Sequence, residues 1–207
     1  MLLDWAARSG AWVVEDDYYG EFRFHGPPLP ALKGLDEAGG VIYAGSFSKV
    51  LLPGLRLGYV VVPPPQVPQF ARVASHLAPS GSLLVQRAAS DFIAQGHFGR
   101  HIQRMRALYA ERRAALVAAL DASCGAWLRI DAQDTGMHLL ARLPAGTDDV
   151  ALARLVADAG LGPAPLSPWA IQAACGPGLL MGFANTPVEA AASQARRLRD
   201  VLSEHFD

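Results

Sequence analysis

The chain has 207 residues, 51% of them hydrophobic, and balances 18 Lys and Arg against 19 Asp and Glu for a formal net charge of -1. That length suits one domain or two small ones, with ample apolar material for a core. A charge so close to zero removes any global electrostatic reason to expect nucleic acid, a membrane surface or a polyanion as partner, and leaves the stretch from Arg100 to Arg113 as the local basic candidate.

Residues 2–9 read as the last turns of a helix, with Leu2, Leu3, Trp5 and Ala6 on one side and Gly10 as its stop. Ala11–Val14 is then a short buried strand running into Glu15-Asp16-Asp17-Tyr18-Tyr19, and the C-terminal ends of strands are where α/β sheets hold ligands. Glu15 and Asp17 are expected as loop charges or caps, and Tyr19 as packing. Residues 20–40 are loop-like, with Pro27, Pro28 and Pro30 in close succession. Val41–Ala44 and Leu57–Val62 are two more buried strands, the second ended by Pro63-Pro64-Pro65. From Val67 to Leu120 the pattern is helical, with breaks near Pro79–Ser82 and at Gly96 and Gly99. His101 to Leu120 forms one long amphipathic helix bearing Ile102, Met105, Leu108, Tyr109, Leu116 and Leu120 at helical spacing. The face carrying Arg100, Arg104, Arg106, Arg112 and Arg113 is expected to be solvated, since no aromatic interleaving accompanies it. Beyond Gly125, strands are expected at Trp127–Ile130, Met137–Leu143 and Leu179–Phe183. Helices are expected at Asp148–Gly160 and Val188–His205, the latter with Pro187 at its first turn. Gly178 reads as turn punctuation. The change of texture marks a second, smaller α+β domain.

Cys124 and Cys175 have no metal-ligand spacing and read as reduced thiols; His97, His101 and His138 have no paired ligand spacing either. No stretch reaches the ~20 apolar residues of a membrane span. The N-terminal Met1-Leu2-Leu3-Asp4-Trp5 shows no basic region before a long apolar run, so a cytoplasmic location is expected.

Within Tyr43–Tyr59 two apolar runs flank a small-residue turn that carries Ser46, Ser48, Lys49 and, seven residues after the lysine, Arg56. Lysine is costly to bury; desolvated, or set beside another cation, its pKa falls and it becomes a nucleophile toward a carbonyl. Arg56 would keep its charge and offer a planar fork to a phosphate, and the two serines add hydroxyl donors. An aldehyde-bearing, phosphorylated cofactor is the ligand these residue types suggest.

Asp16-x-Tyr18, Ser46-x-Ser48-Lys49 and Arg56 together resemble the pyridoxal-phosphate enzymes of the aspartate aminotransferase fold, fold type I, aminotransferase class I/II. Val-Val-Glu-Asp-Asp-Tyr, Val-Ile-Tyr-Ala-Gly-Ser-Phe-Ser-Lys, Leu-Arg-Leu-Gly-Tyr-Val-Val-Val-Pro and Gly-His-Phe-Gly-Arg-His-Ile-Gln-Arg-Met-Arg are similar to one branch, the aminotransferase-like domain of MocR/GntR-type transcription regulators. The resemblance implies an α/β fold: the C-terminal half of a cofactor-binding large domain at 1–66, interdomain helices at 67–124, and a small α+β domain at 125–207. It implies that Lys49 carries pyridoxal phosphate covalently, that Asp16 faces the pyridine nitrogen, that Tyr18 meets the 3-hydroxyl, and that Ser46, Ser48 and Arg56 hold the phosphate. It implies a small amine or amino acid as effector, a homodimer, and DNA contact only through an N-terminal domain outside this sequence. Ser167-Pro168-Trp169 is similar to a family segment near the substrate pocket.

Two departures bear on activity. The family's glycine- and serine-rich phosphate loop, ring-stacking aromatic and Asn-Pro loop have no counterpart before Met1, and neither has a winged helix-turn-helix, so a C-terminal portion of a longer protein is expected. In Leu179-Leu180-Met181-Gly182-Phe183-Ala184, Leu180 stands where aminotransferases carry the arginine that grips a substrate carboxylate. A regulatory ligand-binding domain is therefore expected ahead of an amino-acid transaminase.

Overall fold

The computed structural model describes residues 1–27, 29–77, 82–131, 133–172 and 175–206. The chain divides into two compact units, 1–103 and 104–207. Pro28, and the expected helix break apart from Ser82, lie outside the described residues.

In the first unit, α1 (Leu2–Ser9) ends on Gly10, whose φ of 67° is the left-handed conformation a glycine C-cap supplies. Strand β1 (Val13–Asp17) pairs in parallel with β2 (Val41–Ser46), from Val13 opposite Val41 to Asp17 opposite Gly45. Two carboxylates order the connection between them. Glu15 accepts hydrogen bonds from the Leu32 and Lys33 backbone N–H groups at 2.8 and 2.9 Å, capping a 3-10 turn at Leu32–Leu35. Asp36 accepts from Gly39, Gly40 and Val41 at the start of β2. Burial would raise the Asp36 pKa, but those donors and the Lys33 ammonium outweigh it and hold the carboxyl below its ordinary range.

After the short helix α2 (Phe47–Val50), strand β3 (Gly58–Val61) returns antiparallel to β2, giving the sheet order β1-β2-β3. The expected burial of the outer strands is not observed. Every residue of β3 is exposed, including Val60 at 53%, and Val14 of β1 is 66% exposed. Both are edge strands of a three-stranded sheet, and an apolar sequence run reports strand propensity rather than what covers its faces. The core of this unit gathers instead on Phe22, Val41, Phe47, Val50, Ala89 and Ile102. Helices α3 (Val67–Leu77) and α4 (Leu83–Ala94) follow, α4 capped by Ser82, whose hydroxyl accepts from the Val85 N–H.

Gly96, at φ 72°, separates α4 from α5 (His97–Cys124). Gly99 does not break the chain as expected: it lies inside α5, which starts four residues earlier than the apolar spacing suggested. The helix buries Ile102, Leu116, Leu120 and Cys124. Its arginine face is only partly solvated, since Arg112 donates to the Ala184 carbonyl and Arg113 to the Gln133 carbonyl at 2.9 Å. Burial pushes the Cys124 thiol up to about 11, leaving it an inert core group.

The second unit is a four-stranded antiparallel sheet of order β4-β5-β7-β6, formed by β4 (Arg129–Asp131), β5 (His138–Arg142), β6 (Ala164–Pro165) and β7 (Gly178–Gly182). Gly178 is a strand residue and not a turn; a Cβ there would stand 3.0 Å from the Ala141 carbonyl oxygen, a tight fit against β5 that favours glycine. Helices α6 (Asp149–Asp158) and α7 (Val188–Phe206) complete the unit. The buried positions of α7, Ala191, Ala195, Leu198 and Leu202, recur at helical spacing and meet a core built on Leu139, Leu152, Val156, Leu179 and Phe183. Asp148 caps α6 through the Val150 and Ala151 N–H groups. The next residue, Asp149, is 2% exposed and accepts from the Leu166, Ser167 and Gly178 N–H groups at 3.1, 2.9 and 3.0 Å and from the Ser167 hydroxyl at 2.5 Å. Among the described residues, no helix is long and apolar enough to cross a membrane.

Candidate functional site

Parallel pairing brings the C-terminal ends of β1 and β2 to the same edge, Asp16 opposite Ala44 and Asp17 opposite Gly45, and Ser46 stands opposite Gly58 of β3. The topology therefore gathers all six residues singled out in the sequence at one end of this sheet: Asp16 and Tyr18 leaving β1, Ser46 closing β2, Ser48 and Lys49 on α2, and Arg56 just before β3. Asp16 and Tyr18 are exposed, and Asp16 has no hydrogen bond or ion pair among the described residues. Ser46 caps α2 by accepting the Ser48 N–H at 3.2 Å, which leaves its own hydroxyl proton available to a ligand.

Lys49 is half-buried rather than enclosed, with Nζ 5.3 Å from the centre of the Tyr18 ring. Its pKa is raised, not lowered as desolvation would have it: the neighbouring Tyr18 phenol favours the ammonium and outweighs desolvation, with Tyr19 adding to the same side. Tyr19 packs edge-on against Tyr18 at 4.5 Å between ring centres.

Arg56 is exposed and, at φ 48° and ψ 38°, is the one non-glycine residue with a left-handed backbone among those described. Such a conformation costs an L-residue about 1 kcal/mol and concentrates where a side chain must be aimed. Arg56→Gly should relieve that strain, offset in part by the freedom glycine adds to the unfolded chain, so thermal unfolding should show a midpoint equal to or above the parent's. The same variant should bind a phosphate-bearing ligand at least tenfold more weakly, as loss of a charged hydrogen-bonding group implies, with equilibrium titration as the measure.

Other residues shape this end without having been singled out. The Tyr43 hydroxyl donates to Asp17 Oδ2 at 2.8 Å, and the Gly20 N–H donates to Asp17 Oδ1 at 2.6 Å, so Asp17 pins the turn after β1. Burial and the Asp17 carboxylate hold the Tyr43 phenol far above its ordinary pKa, fixing it as a donor. Tyr59 lies over Gly45, where a Cβ would fall 2.4 Å from its ring, and Phe47 packs on Tyr59 at 5.2 Å. The Val50 carbonyl accepts from His101 Nε2 at 2.9 Å. No local spacing signals these contacts, which span 26 residues from Tyr43 to Asp17 and 51 from His101 to Val50. As a set, an amine beside a phenol, two hydroxyls, a guanidinium and an unpaired carboxylate suit a ligand with an aldehyde, a phosphate and a protonatable ring nitrogen.

Residues 1–161 match the family model for aminotransferase class I and II. The chain is 44% identical over 183 residues to a probable rhizopine catabolism regulatory protein, MocR, of Rhizobium meliloti, covering 88% of this chain and 37% of that one. It is 38% identical over 182 residues to an uncharacterized HTH-type transcriptional regulator, YhdI, of Bacillus subtilis (strain 168), covering 88% of this chain and 39% of the other. Among solved structures, LysN, an alpha-aminoadipate aminotransferase from Thermus thermophilus complexed with N-(5'-phosphopyridoxyl)-L-leucine, superposes with a TM-score of 0.86 at 32% identity, covering 98% of this chain and 53% of that one. The chain thus spans under two fifths of the length of these regulators and about half of the aminotransferase, and its fold is that of the fold-type-I pyridoxal-phosphate aminotransferases.

Proposed function

The chain belongs to the class I and II aminotransferase family, and on that premise we propose that it is the pyridoxal-phosphate-binding effector domain of a MocR/GntR-type transcription regulator. The observation that carries this reading is the meeting of Asp16, Tyr18, Ser46, Ser48, Lys49 and Arg56 at one sheet end. In it the Lys49 amine is the point of covalent attachment and gives up its proton before it can react with a carbonyl carbon. Tyr18, beside the Lys49 amine, would hydrogen-bond the cofactor's 3-hydroxyl. Arg56 and the hydroxyls of Ser46 and Ser48 bind the phosphate, and Asp16 holds a proton on the ring nitrogen. Bound pyridoxal phosphate supplies an electron-withdrawing ring that activates an attached amine.

The regulatory reading is preferred to amino-acid transamination because Leu180, paired across the sheet with Leu140 and Ala164, offers no group to a substrate carboxylate. The ligand sensed is accordingly a small amine or amino acid, the working form is a homodimer, and DNA is engaged by another part of the regulator. The proposed organisation is a cofactor-binding portion at 1–66, connecting helices at 67–124 and a small domain at 125–207. The test is to add pyridoxal phosphate to the purified chain, reduce with borohydride and map the peptides. Cofactor mass on the Lys49 peptide supports the reading; an unmodified Lys49 peptide at saturating cofactor rejects it.

A further inference from the structure

Helix α2 carries Lys49 on a single turn of four residues, too short to be stable by its own hydrogen bonds. Its position must come from outside, and the attachments can be followed one by one. At its N-terminal end the Phe47 N–H donates to the Leu57 carbonyl at 3.0 Å, and Ser46 caps the Ser48 N–H. The Phe47 ring is 8% exposed and meets Phe98, in the first turn of α5, edge-on at 6.0 Å. At its C-terminal end the Leu51 N–H closes the turn on the Phe47 carbonyl at 2.9 Å, leaving the carbonyl of Val50 without an intrahelical donor. His101, one turn further along α5 than Phe98, fills that place: its Nε2 lies 2.9 Å from the Val50 oxygen, and a carbonyl only accepts, so His101 donates.

The geometry points to His101 as a positioning residue for Lys49: with Phe98 it grips both ends of the lysine-bearing turn and fixes where the amine stands relative to Tyr18. Lys49 immediately precedes the held carbonyl, so slack at Val50 displaces the lysine Cα directly. The inference rests on the cofactor reading above for its consequence, but the grip itself involves only this chain's atoms.

The test compares His101→Leu, which removes the donor, with His101→Gln, whose amide N–H restores one at similar reach. Two measurements are made on the 207-residue chain: amide hydrogen exchange at Leu51 without cofactor, and the affinity and visible absorbance of added pyridoxal phosphate. In His101→Leu, exchange at Leu51 should speed up about tenfold and pyridoxal phosphate should bind about tenfold more weakly, the equivalent of one hydrogen bond to a buried carbonyl. His101→Gln should recover both to within about threefold of the parent. Normal binding in His101→Leu would overturn the inference while leaving the cofactor reading intact. Equal losses in the Leu and Gln variants, with lowered melting in both, would reduce His101 to a packing residue and overturn it too. An unmodified chain that never develops the absorbance band would sink the cofactor reading, and the positioning role with it, whatever the exchange data show.

Discussion

Lys49→Ala is expected to abolish covalent capture of pyridoxal phosphate while leaving thermal unfolding unchanged, because the side chain is only half-buried, with its ammonium over the Tyr18 ring. The chain supplies its own control. Lys33 and Lys49 are its two lysines, and the Lys33 ammonium is engaged by Asp36 at 3.4 Å in the loop before β2. Lys33→Ala should therefore leave capture intact. The raised pKa of Lys49 sets the pH dependence: only the neutral amine attacks, so below its pKa the capture rate should climb about tenfold per pH unit. Tyr18→Phe removes the leading cause of that shift. It should speed capture at a fixed pH near 8 while weakening equilibrium binding, a combination that an unspecific loss of structure would not produce. Stopped-flow absorbance across pH, with all three variants, separates these outcomes.

Asp149→Ala should be among the most damaging single changes in residues 104–207. It strips acceptors from three backbone N–H groups and one hydroxyl around a carboxylate that is 2% exposed. Stranded buried donors cost about 1–3 kcal/mol each, and after partial rehydration of the Leu166–Ser167 turn a loss of about 4 kcal/mol is expected in urea unfolding. Burial by itself would raise the Asp149 pKa; the Ser167 hydroxyl and the Gly178, Ser167 and Leu166 N–H groups overcome it and hold the carboxyl below its ordinary value. A group whose folded pKa is depressed contributes stability above its unfolded pKa, near 3.9, and loses that contribution as pH falls through the folded value. The parent should thus become acid-sensitive below about pH 4, and Asp149→Asn should flatten that part of the profile while lowering stability at neutral pH.

How much of this was legible in the residues depended on range. The lysine-bearing turn could be read because Gly, Ser and Pro punctuate it between two apolar runs, and α7 because Ala191, Ala195, Leu198 and Leu202 repeat within a single element. Whatever depends on a distant partner could not. Asp149 looks like an ordinary first-turn carboxylate, since its donors arrive from 17 to 29 residues downstream. His101 reaches across 51 residues to Val50, and no spacing rule spans that interval. The direction of the Lys49 shift is illegible for the same reason: it follows from a phenol just beyond the end of β1, whereas the flanking apolar runs suggest an enclosed amine. The exposure of β3 shows the converse limit, in which strand formation is local but the covering of its faces is not.

The 28 residues of α5 carry a further consequence. The division between the two compact units falls after Gln103, inside this helix, about 42 Å long at 1.5 Å per residue. Helical hydrogen bonds are formed and lost in contiguous runs, so fraying that begins in one unit's part of α5 is expected to reach turns in the other's. A ligand bound at the Lys49 end should therefore slow hydrogen exchange in residues 104–207 as well, by mass action on a common equilibrium.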